Sequence, residues 1–138
     1  MKLQVASRLA IYAVLELAGA PDAQMSAAEI GAKYGVSTHH LAKVMHTLGR
    51  AGLVRSVRGA RGGYQFSGNA KRTTLMQVIE LFENVGGSDS ENLEAGEDTP
   101  AGHALGRVLG EIDDLTRATF SSITLSTMLK MMPPPNRR

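Results

Sequence analysis

The sequence predicts a mainly α-helical fold that contains one small β-hairpin and includes a long helix near its end. Apolar residues recur three and four positions apart through most of the 138-residue chain, as they do in amphipathic helices. After Gly52 the pattern changes, because Leu53–Val57 alternates apolar and polar side chains in the manner of a half-buried strand. A chain of this length with 43% hydrophobic residues is sufficient for one modest core.

The net charge of +2 conceals two halves of opposite sign. Residues 1–72 carry a net charge of +7, and residues 73–138 carry a net charge of −5. A basic half can bind phosphate groups, although charge alone is equally compatible with an ordinary solvated surface. The chain has no cysteine, which excludes disulfides and thiolate-ligated metal sites.

The first helix is predicted over Gln4–Ala18 and ends at Gly19 and Pro21. Its apolar run, Leu9–Ala18, follows basic residues and in this respect resembles a secretion signal. However, Glu16 interrupts the run, and the apolar residues have the spacing of a core helix. No stretch is long enough to cross a membrane, so we expect a cytoplasmic protein without a membrane partner.

Two further helices follow, and each begins at a capping residue. Ser26 and Glu29 have the spacing of a capping box, in which each side chain satisfies a free backbone amide of the first turn. This second helix ends at Gly35, which can adopt the left-handed conformation. Ser37 is the predicted cap of a third helix over Thr38–Ala51.

The hairpin is predicted next along the chain. Its strands, Leu53–Val57 and Tyr64–Phe66, flank the flexible basic loop Arg58–Gly63. A fourth helix is predicted over Thr74–Glu83, where Thr74 and Gln77 form a second capping box.

The C-terminal part is predicted as an acidic flexible loop at 85–102, a helix with a C-terminal segment at 103–132, and a disordered tail at 133–138. The helix has an apolar seam with heptad spacing. This surface is larger than a lone terminal helix can hide, which predicts a homodimer rather than a helix packed on its own domain. The predicted interface residues are Leu105, Val108, Leu109, Ile112 and Leu115.

The second and third helices, joined by a short turn with Gly35, have the pattern of a helix-turn-helix unit. Such a unit places its second helix in the major groove of double-stranded DNA. The early polar positions of that helix can reach base edges or phosphates. The alternative is a plain helical hairpin with a solvated polar face.

The basic loop strengthens the DNA hypothesis, because arginines on a thin hairpin can enter a minor groove. Its glycines would allow the backbone to approach the sugar–phosphate chain closely. We therefore predict that residues 1–84 form a winged helix-turn-helix domain. The predicted DNA contacts are Ser26, Thr38, His39, His40, Lys43, Arg50, Arg55, Arg58, Arg61, Gly62, Gly63 and Tyr64.

Several runs of residues resemble the Rrf2 (Rrf-two) family of bacterial transcriptional regulators. The most specific is Arg-Gly-Ala-Arg-Gly-Gly at 58–63, and the resemblance covers nearly the whole chain. It implies a winged helix, a long dimerisation helix and control of transcription. The matching runs are Val36–His46, Leu48, Ala51–Val54, Ser56–Tyr64, Leu75–Glu83, His103–Leu105 and Ile123–Leu125.

The chain departs from this family at its metal site. Many members hold an iron–sulfur cluster with three cysteines in the loop before the long helix. Here Pro100 takes the place of the last cysteine, and Glu94 and Ser88 lie near the places of the others. We therefore expect no cofactor. His103 matches a histidine that ligates the cluster in some relatives, and without those partners we interpret it as a surface residue.

The sequence thus predicts a DNA-binding regulator that binds a partly palindromic operator as a homodimer, with a repressor preferred and an activator left open. Two alternatives are a winged-helix module that binds proteins and a regulator controlled by a protein partner. The effector, whether a small molecule or a protein, is left open. An enzyme is not expected, because the sequence shows no nucleophile elbow, phosphate-cradling loop or metal-ligand spacing.

Overall fold

A computed structural model describes residues 2–59, 62–85 and 94–133 of the chain. The predicted fold class is confirmed, since the described residues form helices and one two-stranded antiparallel hairpin. No helix among the described residues is long and apolar enough to span a membrane. The elements are α1 (Val5–Ala18), α2 (Ala27–Tyr34), α3 (Thr38–Arg50), β1 (Val54–Val57), β2 (Gly63–Phe66), α4 (Leu75–Ile79), α5 (Pro100–Ser122) and α6 (Leu125–Met131).

Helix α1 lies at the centre of the fold and contacts α3, α4, α6 and β2. Nine of its residues are buried, and Ala10, Ala13 and Val14 are completely inaccessible. Small side chains at these positions allow neighbouring elements to approach the helix backbone closely. Helix α3 and strand β2 are therefore both positioned by α1.

The first turn of α1 is capped from a distant part of the chain. Its own N-cap residue, Gln4, makes no side-chain cap. Instead, the Glu83 carboxylate accepts a hydrogen bond from the backbone N–H of Gln4 at 2.9 Å and one from the buried Ser7 hydroxyl at 2.5 Å. A carboxylate at a helix N-terminus also interacts favourably with the helix dipole. This contact fastens the segment after α4 to α1.

The predicted helix boundaries are confirmed where local capping controls them. Ser26 and Glu29 form the capping box of α2, and Gly35 ends that helix with a φ of 68°. Thr74 and Gln77 form the second box, but α4 ends at Ile79 and not at Glu83. The chain continues from there in tight turns, which bring Glu83 back to α1.

The C-terminal part differs from its prediction in two respects. Helix α5 begins at Pro100 and not at His103. The Thr99 hydroxyl accepts a hydrogen bond from the backbone N–H of Gly102 and so caps the helix. A sixth helix, α6, was not predicted, and it packs on α1 with Leu125 fully buried. Residues 86–93 of the expected acidic loop and 134–138 of the expected tail lie outside the described residues.

The hairpin is joined to the start of α2 by backbone pairing. Met25 and Tyr64 exchange two N–H···O=C hydrogen bonds, of 3.1 and 2.8 Å. A Cβ atom at Gly63 would lie 2.6 Å from the Met25 carbonyl oxygen. The close approach of the two backbones therefore requires glycine at position 63.

We predict that Gly63→Ala lowers the free energy of unfolding by about 1–3 kcal/mol, because the added methyl group forces the two backbones apart. Urea denaturation followed by circular dichroism measures this change. Gly49→Ala is the control, since its Cβ would have only one ordinary contact, 3.8 Å from the Val54 carbonyl oxygen. A Gly63→Ala variant as stable as the wild type would contradict the role of this pairing.

Candidate nucleic-acid interface

The turn between α2 and α3 is held tightly against α2. The Val36 amide donates to the Gly31 carbonyl oxygen at 2.8 Å, and a Cβ atom at Gly31 would lie 2.7 Å from the Val36 carbonyl oxygen. The missing side chain thus lets the turn fold back on the helix before it. The result is the compact helix pair expected of a helix-turn-helix unit.

One face of α3 is buried and the opposite face is exposed and cationic. The core face is formed by Leu41, Val44, Met45 and Leu48. At 100° per residue, the side opposite this face consists of residues separated by four, three and four positions. All of them are exposed, and we call them the recognition stripe: His39, Lys43, His46 and Arg50.

Three members of the recognition stripe were predicted as DNA contacts, and His46 was missed. The signal that could have found it is its spacing, three residues after Lys43 and seven after His39. Thr38 and His40 are exposed in the first turn of α3, but on a helical wheel they lie beside the stripe and not within it.

The predicted contact Ser26 lies at the N-terminus of α2, beside the hairpin. Its hydroxyl accepts a hydrogen bond from the backbone N–H of Glu29 at 3.0 Å and therefore already serves as the helix cap. A DNA contact by Ser26 stays a prediction.

The hairpin divides its polar residues between two faces. Ser56 is paired with Tyr64, and Arg55 is paired with Gln65. Because side chains alternate along a strand, Ser56 and Tyr64 share the face toward α3, together with the buried Val54. Tyr64 is therefore brought close to the recognition stripe, while Arg55 lies on the other face.

Arg55 is held on that other face by a short chain of hydrogen bonds. Its guanidinium donates to the Gln65 side-chain oxygen at 2.7 and 3.2 Å. The Gln65 amide nitrogen in turn donates to the Pro21 carbonyl oxygen at 2.8 Å. The structure therefore does not bring Arg55 together with the other predicted contacts, and its role toward DNA stays a prediction.

The described residues on either side of the hairpin loop are joined by a hydrogen bond. The backbone amide of Gly62 donates to the Gly59 carbonyl oxygen at 2.9 Å, and Gly59 has a φ of 139°, a conformation that favours glycine. Arg58, next to Gly59, is exposed, as a minor-groove contact requires. Arg61 lies outside the described residues.

The part of the chain that forms α3 and the hairpin has basic residues and no acidic ones. Residues 30–79 include eight Lys or Arg and no Asp or Glu. Lys33 is a special case, since its ammonium pairs with the Glu16 carboxylate at 2.6 Å on the side of α1. The other cations of the segment can act on a phosphate without competition from a neighbouring carboxylate in the sequence.

The ion pair at α1 affects two titrating groups. Partial burial raises the pKa of Glu16, but hydrogen bonds from Lys33 and Tyr34 outweigh it and hold this pKa below its ordinary value. Burial and the hydrogen bond to Glu16 raise the pKa of Tyr34, whose ring stacks on Tyr12 with centroids 5.0 Å apart. These contacts join α1 to α2.

Helix α5 exposes the predicted apolar seam. No residue of this helix is buried, and the five seam residues are between 51% and 68% exposed. Within the described residues, α5 contacts the rest of the chain at its C-terminal end, where Phe120 packs on the core and Arg117 pairs with Glu80. The seam itself is therefore not covered by the described part of its own chain.

The residues near the start of α5 do not fit a cysteine-ligated cluster. The chain has no thiolate to offer, and Pro100, the first residue of the helix, has no donor atom in its side chain. Glu94 and His103 are exposed, and Ser88 lies outside the described residues. Within the described ranges, no three His, Asp or Glu side chains converge as a metal site.

Comparisons with known proteins agree with this geometry. The profile of the Rrf2 family, described as an iron-dependent transcriptional regulator, matches residues 3–131. A candidate HTH-type transcriptional regulator of Rhodopseudomonas palustris, BadM, is 44% identical over 138 residues, which cover 100% of this chain and 87% of that protein.

Solved structures show the same fold. The structure of CymR, the global cysteine regulator of B. subtilis, superimposes with a TM-score of 0.79 at 25% identity, covering 96% of this chain and 99% of that one. T. potens IscR superimposes with a TM-score of 0.77 at 24% identity, covering 100% of this chain and 93% of that one.

We predict that Lys43→Ala weakens binding to duplex DNA by about 1–3 kcal/mol if Lys43 contacts a base. Fluorescence anisotropy on several duplex sequences measures the loss. An equal loss on every sequence would reassign Lys43 to a phosphate contact. Lys130→Ala on α6 is the control for removal of one positive charge, and an effect as large as that of Lys43→Ala would remove the argument for the stripe.

Proposed function

The chain belongs to the Rrf2 family of transcriptional regulators, and on that premise we propose that it is a repressor that binds a partly palindromic operator as a homodimer. The family description and the names of the relatives are those of transcriptional regulators and not of enzymes, as the sequence predicted. Because its partner is chromosomal DNA, we place the protein in the cytoplasm.

The observation that carries the proposal is the recognition stripe beside the hairpin. A helix exposing His39, Lys43, His46 and Arg50 presents donors for base edges and phosphates along its whole length. Arg58 extends the cationic surface to the hairpin turn, where an adjacent minor groove would lie. The segment 30–79 has basic residues and no acidic ones. This composition supports DNA, a uniformly anionic partner, over a protein surface of mixed charge.

The exposed seam of α5 supports the homodimer. Burial of one Leu or Ile contributes roughly 1.5–3 kcal/mol, so five apolar residues on each chain favour pairing strongly. A second copy of α5 offers the same seam, as a two-fold interface requires. Two recognition helices related by this axis would match two half-sites about 34–36 Å apart, one turn of DNA.

We propose that the regulator acts without an iron–sulfur cluster, in contrast to the family description. The reason is the donor set, since cluster iron is held mainly by cysteine thiolates and this chain has none. Its signal would then be a small molecule, a protein partner or another ligand.

Removal of iron and a change of redox state should leave DNA binding unchanged. We expect the same dissociation constant after treatment with a strong iron chelator, and with or without reductant, measured by anisotropy on one duplex. The protein purified without oxygen should show no visible absorption of a cluster. Stoichiometric iron whose removal weakens DNA binding would contradict this prediction.

The operator and the dimer can be tested together. Selection from fragmented genomic DNA should recover sequences with dyad symmetry, and light scattering should show a dimer at micromolar concentration. Ile112→Asp should produce monomers and lose operator affinity, because it places a charge in the apolar seam. Ser121→Asp is the control, since it lies nine residues away, on the opposite side of α5.

Three results would count against the proposal. Recovery of no preferred sequence at low salt would contradict a sequence-specific regulator. A monomeric wild type would contradict the dimer. A dimeric Ile112→Asp variant with normal operator affinity would show that the seam is not the interface.

A further inference from the structure

A groove separates the C-terminal half of α3 from the hairpin. Its volume is about 470 Å³, and it is open to solvent along one side. The helix contributes Ala42, His46, Gly49 and Arg50, and the hairpin contributes Ser56 and Tyr64. Two members of the recognition stripe, His46 and Arg50, thus form one edge of this groove.

The helical side of the groove is open because two of its residues are small. Ala42 and Gly49 lie seven residues apart, or two turns, on the side of α3 that faces the hairpin. The packing does not require glycine at 49, since an added Cβ atom would meet only the Val54 carbonyl oxygen at 3.8 Å. Small side chains here leave room for another molecule between the helix and the hairpin.

The edges of the groove carry hydrogen-bond donors. Arg50 and His46 offer nitrogen donors from the helix, and the cross-strand pair Ser56 and Tyr64 offers two hydroxyl groups from the hairpin. Within the described residues, neither hydroxyl makes a hydrogen bond to another side chain. No carboxylate lines the groove, so its donors suit an anionic occupant.

We propose that this groove holds the sugar–phosphate backbone of one DNA strand, with phosphate oxygens accepting hydrogen bonds from His46, Arg50, Ser56 and Tyr64. The proposal rests on the proposed function, in which α3 enters a major groove and the hairpin the adjacent minor groove. One phosphodiester strand separates these two grooves of B-DNA. It must therefore pass between α3 and the hairpin, where the open groove lies.

Two of the proposed phosphate contacts, from His46 and Ser56, are additional to the DNA contacts predicted from the sequence. These contacts position the protein on the duplex and are independent of base sequence. They also explain why the hairpin pairs with Met25, since the width of the groove depends on the distance from α3 to β2.

The first experiment measures the salt dependence of binding to a 30-base-pair duplex of random sequence. Each Arg or Lys contact to a phosphate that is lost should reduce the slope of log K against log salt by about 0.9, and a dimer loses two contacts per substitution. We expect this reduction for Arg50→Gln. The variants His46→Gln and Ser56→Ala are tested by affinity instead, which should fall roughly tenfold for each because a hydrogen bond to a charged phosphate is lost. Arg107→Gln on α5, an exposed residue, is the control for charge removal and should leave the slope unchanged.

A second variant fills the groove without removing a donor. Ala42→Leu should reduce affinity for the same duplex by roughly tenfold, because the strand no longer fits. Thermal unfolding and circular dichroism on the same sample establish that the variant is folded. A folded Ala42→Leu variant with wild-type affinity would overturn the proposal.

The third experiment locates the contact on the DNA. In a selected operator duplex, each phosphate is replaced in turn by an uncharged methylphosphonate. Wild-type protein should lose roughly tenfold in affinity at one position per half-site, between the major and minor grooves. His46→Gln should show little further loss at that position and full losses elsewhere.

These results separate the groove from the proposed function. Wild-type binding without sequence preference would count against the regulator, while the salt slopes would still test the groove. Wild-type duplex affinity for both His46→Gln and Ser56→Ala, in a wild type that binds its operator, would overturn the groove alone. Tight binding of inorganic phosphate together with those unchanged affinities would assign the groove to a small anion and also overturn it.

Discussion

The burial of helix α1 is the constraint on which the rest of the structure depends. The helix contacts α3, α4, α6 and β2, and its completely inaccessible residues include Ala10, Ala13 and Val14. A larger side chain at either alanine would displace several elements at once, because interiors are close-packed. The distance between α3 and the hairpin is thus fixed through a common neighbour and not only through the short loop that joins them. The proposed docking of α3 and the hairpin in two grooves of DNA would need such a fixed distance.

Acidic and basic residues lie in different parts of the chain and have different structural roles. The segment 30–79, which contains the larger part of α2, all of α3 and the hairpin, has no acidic residue, while Glu16 and Glu83 on either side of it make contacts within the scaffold. Glu16 pairs with Lys33, and Glu83 caps α1. Both carboxylates are thus engaged by partners within the scaffold and lie outside the acid-free segment. The net charge of +2 is therefore a poor guide to the field that a DNA strand would encounter.

Local signals predicted much of the fold, while contacts between distant residues could not be predicted. The caps at Ser26, Ser37 and Thr74 depend on residues three positions away, so the sequence contains the whole interaction. In contrast, the contact from Glu83 to Ser7 spans 76 residues and has no local pattern.

The same difference applies to the site. The position of Arg55 follows from strand register, which alternates side chains between faces and depends on where pairing begins. The alternation of apolar and polar residues that begins at Leu53 does not indicate which face of the hairpin contacts α3. The recognition stripe is a local helical pattern, and His46 could have been included by extending its spacing.

Two backbone hydrogen bonds connect the end of α5 to the remainder of the fold. The Leu75 amide donates to the Ile123 carbonyl oxygen, and the Leu125 amide donates to the Thr73 carbonyl oxygen, both at 2.9 Å. These bonds join the start of α4 to the junction between α5 and α6, and both α4 and α6 pack on α1. In the proposed dimer, the spacing of the two recognition helices would depend on this junction.

The length of α5 makes that junction mechanically important. Its 23 residues extend about 35 Å at 1.5 Å per residue, nearly one turn of DNA. A small rotation where α5 meets α4 would move the far end of the helix, and with it the partner's recognition helix, by several ångströms. An effector acting near Ile123 or Arg117 could therefore change operator affinity without touching DNA, because half-site spacing tolerates little error.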